Sequence, residues 1–123
     1  MAALLLLGAG GHARVVAETA LAKGSAKWAD HGPAQLIGPF GAALDPQIRQ
    51  QFPAALVAIG NAAVRLQWLS SLAAAGYELP VVVHPTAWVS PSAQIGTGSV
   101  VFAQAAIQAQ AMIGSGAILN TGC

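Results

Sequence analysis

Residues 87–122 divide into six equal pieces, AWVSPS, AQIGTG, SVVFAQ, AAIQAQ, AMIGSG and AILNTG. The third place is always aliphatic (Val89, Ile95, Val101, Ile107, Ile113, Leu119), and the first is always alanine or serine. Neither the 3.6-residue period of a helix nor the two-residue period of an ordinary strand produces this pattern. A strand rises about 3.3 Å per residue, so a hexad spans roughly 20 Å, one flat side of a coil. One aliphatic residue per side then points inward, and a small residue stands where the chain turns. Gly96, Gly98, Gly114 and Gly116 supply tight backbone at those turns. The period predicts a hexapeptide-type parallel β-helix. Six hexads at three sides per coil make two coils, short of the roughly three units that stacked repeats need for stability. The pattern is still running at Cys123, so the expectation is that this sequence is the first part of a longer protein.

The first half alternates in period. Ala3–Leu7 is uniformly aliphatic, as a strand buried on both faces would be. Glycines at 8, 10 and 11 interrupt it. A helical pattern follows to about Ala22, with Val16 and Ala20 one turn apart and Val15 and Leu21 flanking the same stripe. Residues 23–34 read as a loop and Gln35–Ile37 as a short strand. Asp45-Pro46 places an N-cap before a proline at the first helical position, opening a short helix that stops before Pro53. Ala55–Ile59 is a second buried strand. Gly60-Asn61 turns from it into a helix over 62–75, with Val64, Trp68 and Leu72 at i, i+4 and i+8 and Gly76 just past its end. Val81–Val83 reads as a third main strand. Such alternation predicts a small parallel sheet covered by helices over residues 1–84, with the repeat domain starting at 85.

Charge narrows the functional classes. Five Lys and Arg against four Asp and Glu leave a net charge of +1, which gives no footprint for nucleic acid or an anionic membrane. With only 7% charged residues, part of the surface is expected to be covered by further protein. The single cysteine excludes an internal disulfide, and no His/Cys spacing suggests a metal site. MAALLLLGAGGHA lacks the positive n-region of a signal peptide and reads as a first buried strand. No stretch approaches the roughly 18 apolar residues of a membrane helix. The expected compartment is the cytoplasm. His31 has no carboxylate or cysteine partner nearby, His84 precedes a proline and reads as structural, and Trp28, Trp68 and Trp88 read as packing residues.

Two stretches can carry chemistry. In LLLLGAGGHARVV no Ser, Thr, Asp or Asn stands at 8–11 to cap the helix. The N–H groups of Gly10, Gly11 and His12 are therefore available to an anion, and the helix dipole favours a phosphate. Gly8-x-Gly10-x-x-Ala13 also fits a loose dinucleotide fingerprint, with Asp30 about twenty residues on. Asp30 lies in loop-like WADHGP, whereas that fingerprint wants the end of a second strand, so phosphate binding is the better reading. A tight turn without ligand is the bland one. His12 either touches a substrate or begins the helix, and Arg14 either pairs with a phosphate or is solvated. In LVAIGNAAVR, Gly60, Asn61 and Arg65 fall at the carboxyl end of a parallel strand, where open α/β sheets bind ligands. Asn61 is equally a good N-cap.

GAGGHARVV, AIGNAAVR, HPTAWVSPSAQIGTGSVV and ILNTG, in this order, resemble the sugar acyltransferases of the sialic acid O-acetyltransferase and UDP-4-amino-sugar N-acetyltransferase family, over nearly the whole chain. The resemblance implies a Rossmann-like N-terminal domain that holds a sugar or UDP-sugar. A left-handed β-helix follows that trimerises and binds acetyl-CoA between subunits. On this resemblance Gly8, Gly10, Gly11, His12 and Arg14 match the glycine-rich substrate loop, and Gly60, Asn61 and Arg65 match the second substrate motif. LIGPFGAALDP stands where members carry a glycine-phenylalanine-leucine and paired-aspartate segment. The family's catalytic histidine follows a few residues after an NTG motif, but only Cys123 follows Asn120-Thr121-Gly122. No catalytic residue is assigned within 1–123, and residues 1–123 alone are expected to be inactive. The implied reaction moves an acetyl group to a sugar amine or hydroxyl, with that histidine as general base, backbone N–H groups on the oxyanion and the N-terminal loop positioning the sugar. Two other classes stay open: a non-catalytic nucleotide-sugar binding and oligomerisation module, and a nicotinamide-dependent oxidoreductase, which has no use for the hexads.

Overall fold

The computed structural model describes residues 4–8, 11–21, 34–37 and 43–123. Strands β1 (Leu4–Leu7), β2 (Ala34–Ile37) and β3 (Ala54–Val57) form one parallel sheet in the order β2-β1-β3. The central strand β1 is buried along its whole length because both of its faces are covered. Leu4 and Leu6 meet Ala13, Val16 and Ala20 of helix α1 (Gly11–Leu21). Leu5 and Leu7 meet Leu69 and Leu72 of helix α3 (Ala62–Ala74), with Phe52 and Tyr77. Each such leucine contributes roughly 1.5–3 kcal/mol by its burial. Helix α2 (Pro46–Gln51) starts as expected: Asp45 Oδ1 accepts the Gln47 N–H at 2.9 Å, and Pro46 needs no donor there.

Three details depart from the sequence reading. Val15 does not flank the buried stripe of α1 but stands exposed, while Thr19 turns inward and donates its hydroxyl to the Val15 carbonyl at 2.8 Å. The buried side of α3 is Arg65, Leu69 and Leu72, with Val64 and Trp68 only half-buried. The second strand ends at Val57 rather than Ile59, because its neighbour β1 ends at Leu7 and turns away at Gly8; beyond it the carbonyls of Ile59 and Gly60 accept from Arg65 Nη1 at 3.0 and 3.1 Å. The loop expected over 23–34 gives up Ala34 to β2, and its other residues lie outside the described ones.

Val82–Val83 (β4) is not a strand of this sheet. It pairs in parallel with β7 (Val100–Val101), which pairs in turn with β10 (Ile118–Leu119). Two further ladders join β5 (Trp88–Val89) to β8 (Ala106–Ile107) and β6 (Gln94–Ile95) to β9 (Met112–Ile113). Every pairing joins residues 18 apart, such as Val82 with Val100 and Gln94 with Met112, so three hexads complete one circuit. Val89, Ile95, Val101, Ile107, Ile113 and Leu119 pack together with Ala87, Ala93, Ala105 and Ala111, as the period predicts. Val83 joins them, which makes 81–86 a further hexad ahead of the six, and its ladder partners lie beyond the boundary read at 84/85.

Hydroxyls fasten successive circuits. Thr86 Oγ1 accepts the Gln104 N–H at 3.1 Å, Ser92 Oγ the Gln110 N–H at 2.9 Å, and buried Ser99 Oγ the Ala117 N–H at 3.1 Å. Of the four glycines expected at the turns, Gly98 and Gly116 have φ of +73° and +67°. Gly96 is small for another reason: a Cβ there would collide with the backbone of Gly114 and Ser115 on the next circuit. Helix α1 lies between the sheet and the β4-β7-β10 ladder, whose Val82, Val100 and Ile118 pack on the same cluster as Leu4, Leu6 and Val16.

Candidate substrate-binding edge

The carboxyl ends of β1 and β3 meet at Gly8. Its φ is +137°, and a Cβ there would lie 2.5 Å from the Ala58 carbonyl oxygen. Ala58 N–H donates to the Leu7 carbonyl at 2.8 Å, drawing the two strand ends together. Only glycine fits such an approach. Gly10 lies outside the described residues. Gly11 opens α1, is exposed, and has no atom within 4 Å of where its Cβ would be.

His12 follows, half-buried, with its ring edge-on to Phe102 at 5.9 Å between centroids. Its Nε2 is shielded from solvent and has no hydrogen-bond partner among the described residues. Burial first, and the nearby Arg65 charge second, hold the imidazole below its ordinary value of 6.5, so at neutral pH it is uncharged. Arg14 is exposed on the first turn of α1.

On the neighbouring strand end, Gly60 is exposed with open space around it. Asn61 Oδ1 caps α3 by accepting the Val64 N–H at 3.1 Å. Arg65 is buried, and among the described residues its three hydrogen bonds all end on backbone carbonyls. Besides Ile59 and Gly60, Nε donates to the Gly116 carbonyl at 2.7 Å.

Gly8, Gly11, His12, Gly60, Asn61 and Arg65 thus gather at one edge of the sheet, and exposed Arg14 stands on the flank. The N-termini of α1 and α3 both open there, one beside a buried guanidinium. Their dipoles and that charge favour an anionic ligand. The sequence reading missed Phe102 and Gly116. Phe102 had a legible signal, being the only aromatic in the fourth place of any hexad. Below it, a cleft of about 190 Å³ separates α1 (Val15, Glu18, Thr19) from the hexads (His84, Phe102, Thr121). There His84 Nδ1 accepts the Thr86 N–H at 3.1 Å. Among the described residues no group of side chains is suited to hold a metal ion, and no helix is long and apolar enough to cross a membrane.

The model of the PglD N-terminal domain family matches residues 3–72, more than half of the chain. No curated protein matches. Among solved structures, the acetyltransferase domain of PglB from Neisseria gonorrhoeae is 39% identical with a TM-score of 0.86, over 98% of this chain and 62% of that one. The same domain has been solved in complex with acetyl coenzyme A. PerB from Caulobacter crescentus, in complex with CoA and GDP-perosamine, is 31% identical with a TM-score of 0.86, over 99% of this chain and 61% of its own. The chain therefore spans a little over three-fifths of the length of the structures it matches.

Proposed function

This chain belongs to the acetyltransferase family that carries the PglD N-terminal domain, and on that premise we propose that the whole protein transfers an acetyl group from acetyl-CoA to an amino or hydroxyl group of a nucleotide-linked sugar. One observation carries the reading: two similar structures that together hold acetyl-CoA, CoA and GDP-perosamine align over nearly all of this chain. PerB, with its amino sugar, favours nitrogen as the acceptor.

Residues up to 80 supply the sugar-nucleotide side, and the hexads from 81 onward begin the acyl-transfer side. The edge at Gly8, Gly11, His12, Arg14, Gly60 and Asn61, with Arg65 behind it, faces the nucleotide sugar, with the diphosphate toward the two helix N-termini. The neutral His12 accepts or donates one hydrogen bond there without adding charge. The hexads form the start of a left-handed β-helix, on which acetyl-CoA lies between neighbouring subunits. Trp88 and Met112, exposed at 55% and 80%, stand outward on β5 and β9, as faces awaiting a second and third copy would. The general base is a histidine beyond Cys123, and it takes the proton released as the sugar amine attacks the thioester carbonyl and the CoA thiolate departs. The protein works in the cytoplasm.

The test is release of free CoA thiol by the whole protein, given acetyl-CoA with GDP- or UDP-linked amino sugars. Turnover that needs both substrates is the expected result. Nucleotide-sugar binding with no response to acetyl-CoA, in kinetics and in calorimetry, sinks the reading in favour of a binding module.

A further inference from the structure

We infer that Arg65 is a positioning residue rather than a ligand of the substrate: it fixes the sugar-nucleotide edge to the hexads on which acetyl transfer takes place. The inference rests on the function proposed above. Its basis is where the guanidinium spends its donors. Nη1 holds the carbonyls of Ile59 and Gly60, the last two residues before the Asn61 cap. Nε holds the carbonyl of Gly116, 51 residues away at a corner of the hexad stack. One planar group therefore spans both bodies, and its fork gives it fixed directions that a point charge lacks.

The surroundings are shaped for this link. Gly116 has φ of +67°, and a Cβ there would come within 2.9 Å of Leu66 and Leu69, so the corner sits directly against α3. Arg65 is buried, and burying a cation whose partners are all neutral carbonyls is costly unless the geometry it enforces is needed. A second contact joins the same two bodies, where His12 at the start of α1 abuts Phe102 on the hexads. The two contacts hold both ligand-facing loops of the sheet against one body. Transfer between an acceptor held by the sheet and a donor held by the hexads depends on that orientation. A displacement of about 1 Å in such a geometry can cost on the order of a hundredfold in rate.

The experiment compares Arg65→Met and Arg65→Lys with the unchanged whole protein, by steady-state acetyl transfer and by backbone hydrogen exchange over residues 59–62 and 116–118. Methionine keeps the apolar stem without donors, while lysine keeps the charge but not the fork. Both variants are expected to lose about tenfold to a hundredfold in kcat with KM for the nucleotide sugar within about twofold. Both should show faster exchange in the two segments. A KM raised tenfold or more in Arg65→Met and restored by Arg65→Lys overturns the inference, since charge on the ligand would then be what matters. Unchanged kcat, unchanged exchange, or failure of both variants to fold overturns it as well. If the unchanged protein itself transfers no acetyl group, the proposed function fails, and the exchange measurement still decides whether Arg65 is the clamp.

Discussion

The imidazole of His12 meets the ring of Phe102 edge to face, with 70° between their planes, so the first turn of α1 and the hexads share an aromatic contact. Burial at that contact, followed by the charge of Arg65, lowers the His12 pKa below 6.5. Below pH 6.5 the unfolded chain then binds a proton that the folded one resists, so stability is lost as pH falls through that range. Melting temperatures measured from pH 7.5 down to 5 should decline, and His12→Gln should remove part of the decline. Parallel profiles for the two proteins would count against this assignment.

Gly8 and Gly11 flank the same turn but respond to opposite constraints. Gly8→Ala adds a Cβ against the Ala58 carbonyl in a left-handed backbone, and should cost at least about 2 kcal/mol in urea unfolding. Gly11→Ala meets open space at a helical position and should be neutral or stabilising by up to about 1 kcal/mol. Equal losses would show that the turn is not packed as described.

The proposed edge gives Asn61 a second task beside its cap. Asn61→Ala removes the cap of α3 and should cost about 1 kcal/mol, which Asn61→Ser should recover. Serine carries no amide nitrogen, so nucleotide-sugar affinity measured by calorimetry should stay reduced in both variants. Full recovery of affinity by serine would confine Asn61 to capping.

The left-handed corners of the hexads differ in their neighbours. Gly98→Ala combines a positive φ with a Cβ 2.8 Å from Leu69, and should cost about 1–2 kcal/mol as read by thermal unfolding. Gln104 adopts φ of 62° in an exposed corner, so Gln104→Asn should be neutral or slightly stabilising, because asparagine tolerates that region. A destabilised Gln104→Asn would point to a contact of the longer side chain.

The features legible in the sequence were those with a strict local period. Leu4–Leu7 could only be a strand covered on both faces, and six aliphatic residues spaced by six could only line one interior. Val83 belongs to that interior, yet VVVHPT has valine rather than a small residue in its first place, and three consecutive valines carry no phase. The buried face of α3 was misplaced for a different reason. Hydropathy excludes an arginine from a core, and only the fold reveals three carbonyls waiting for Arg65. At the candidate edge, the Asn61 cap was readable because it answers to the backbone three residues on. The pairing of His12 with Phe102, ninety positions on, was not.

Val82 and Val83 are adjacent, but the first lies among Leu4, Leu6 and Val16 while the second lines the hexad interior. A single layer of backbone is thus the common wall of two rooms, and neither can be stripped without opening the other to water. Heat should therefore dismantle the molecule in one step, with circular dichroism and tryptophan fluorescence giving the same midpoint.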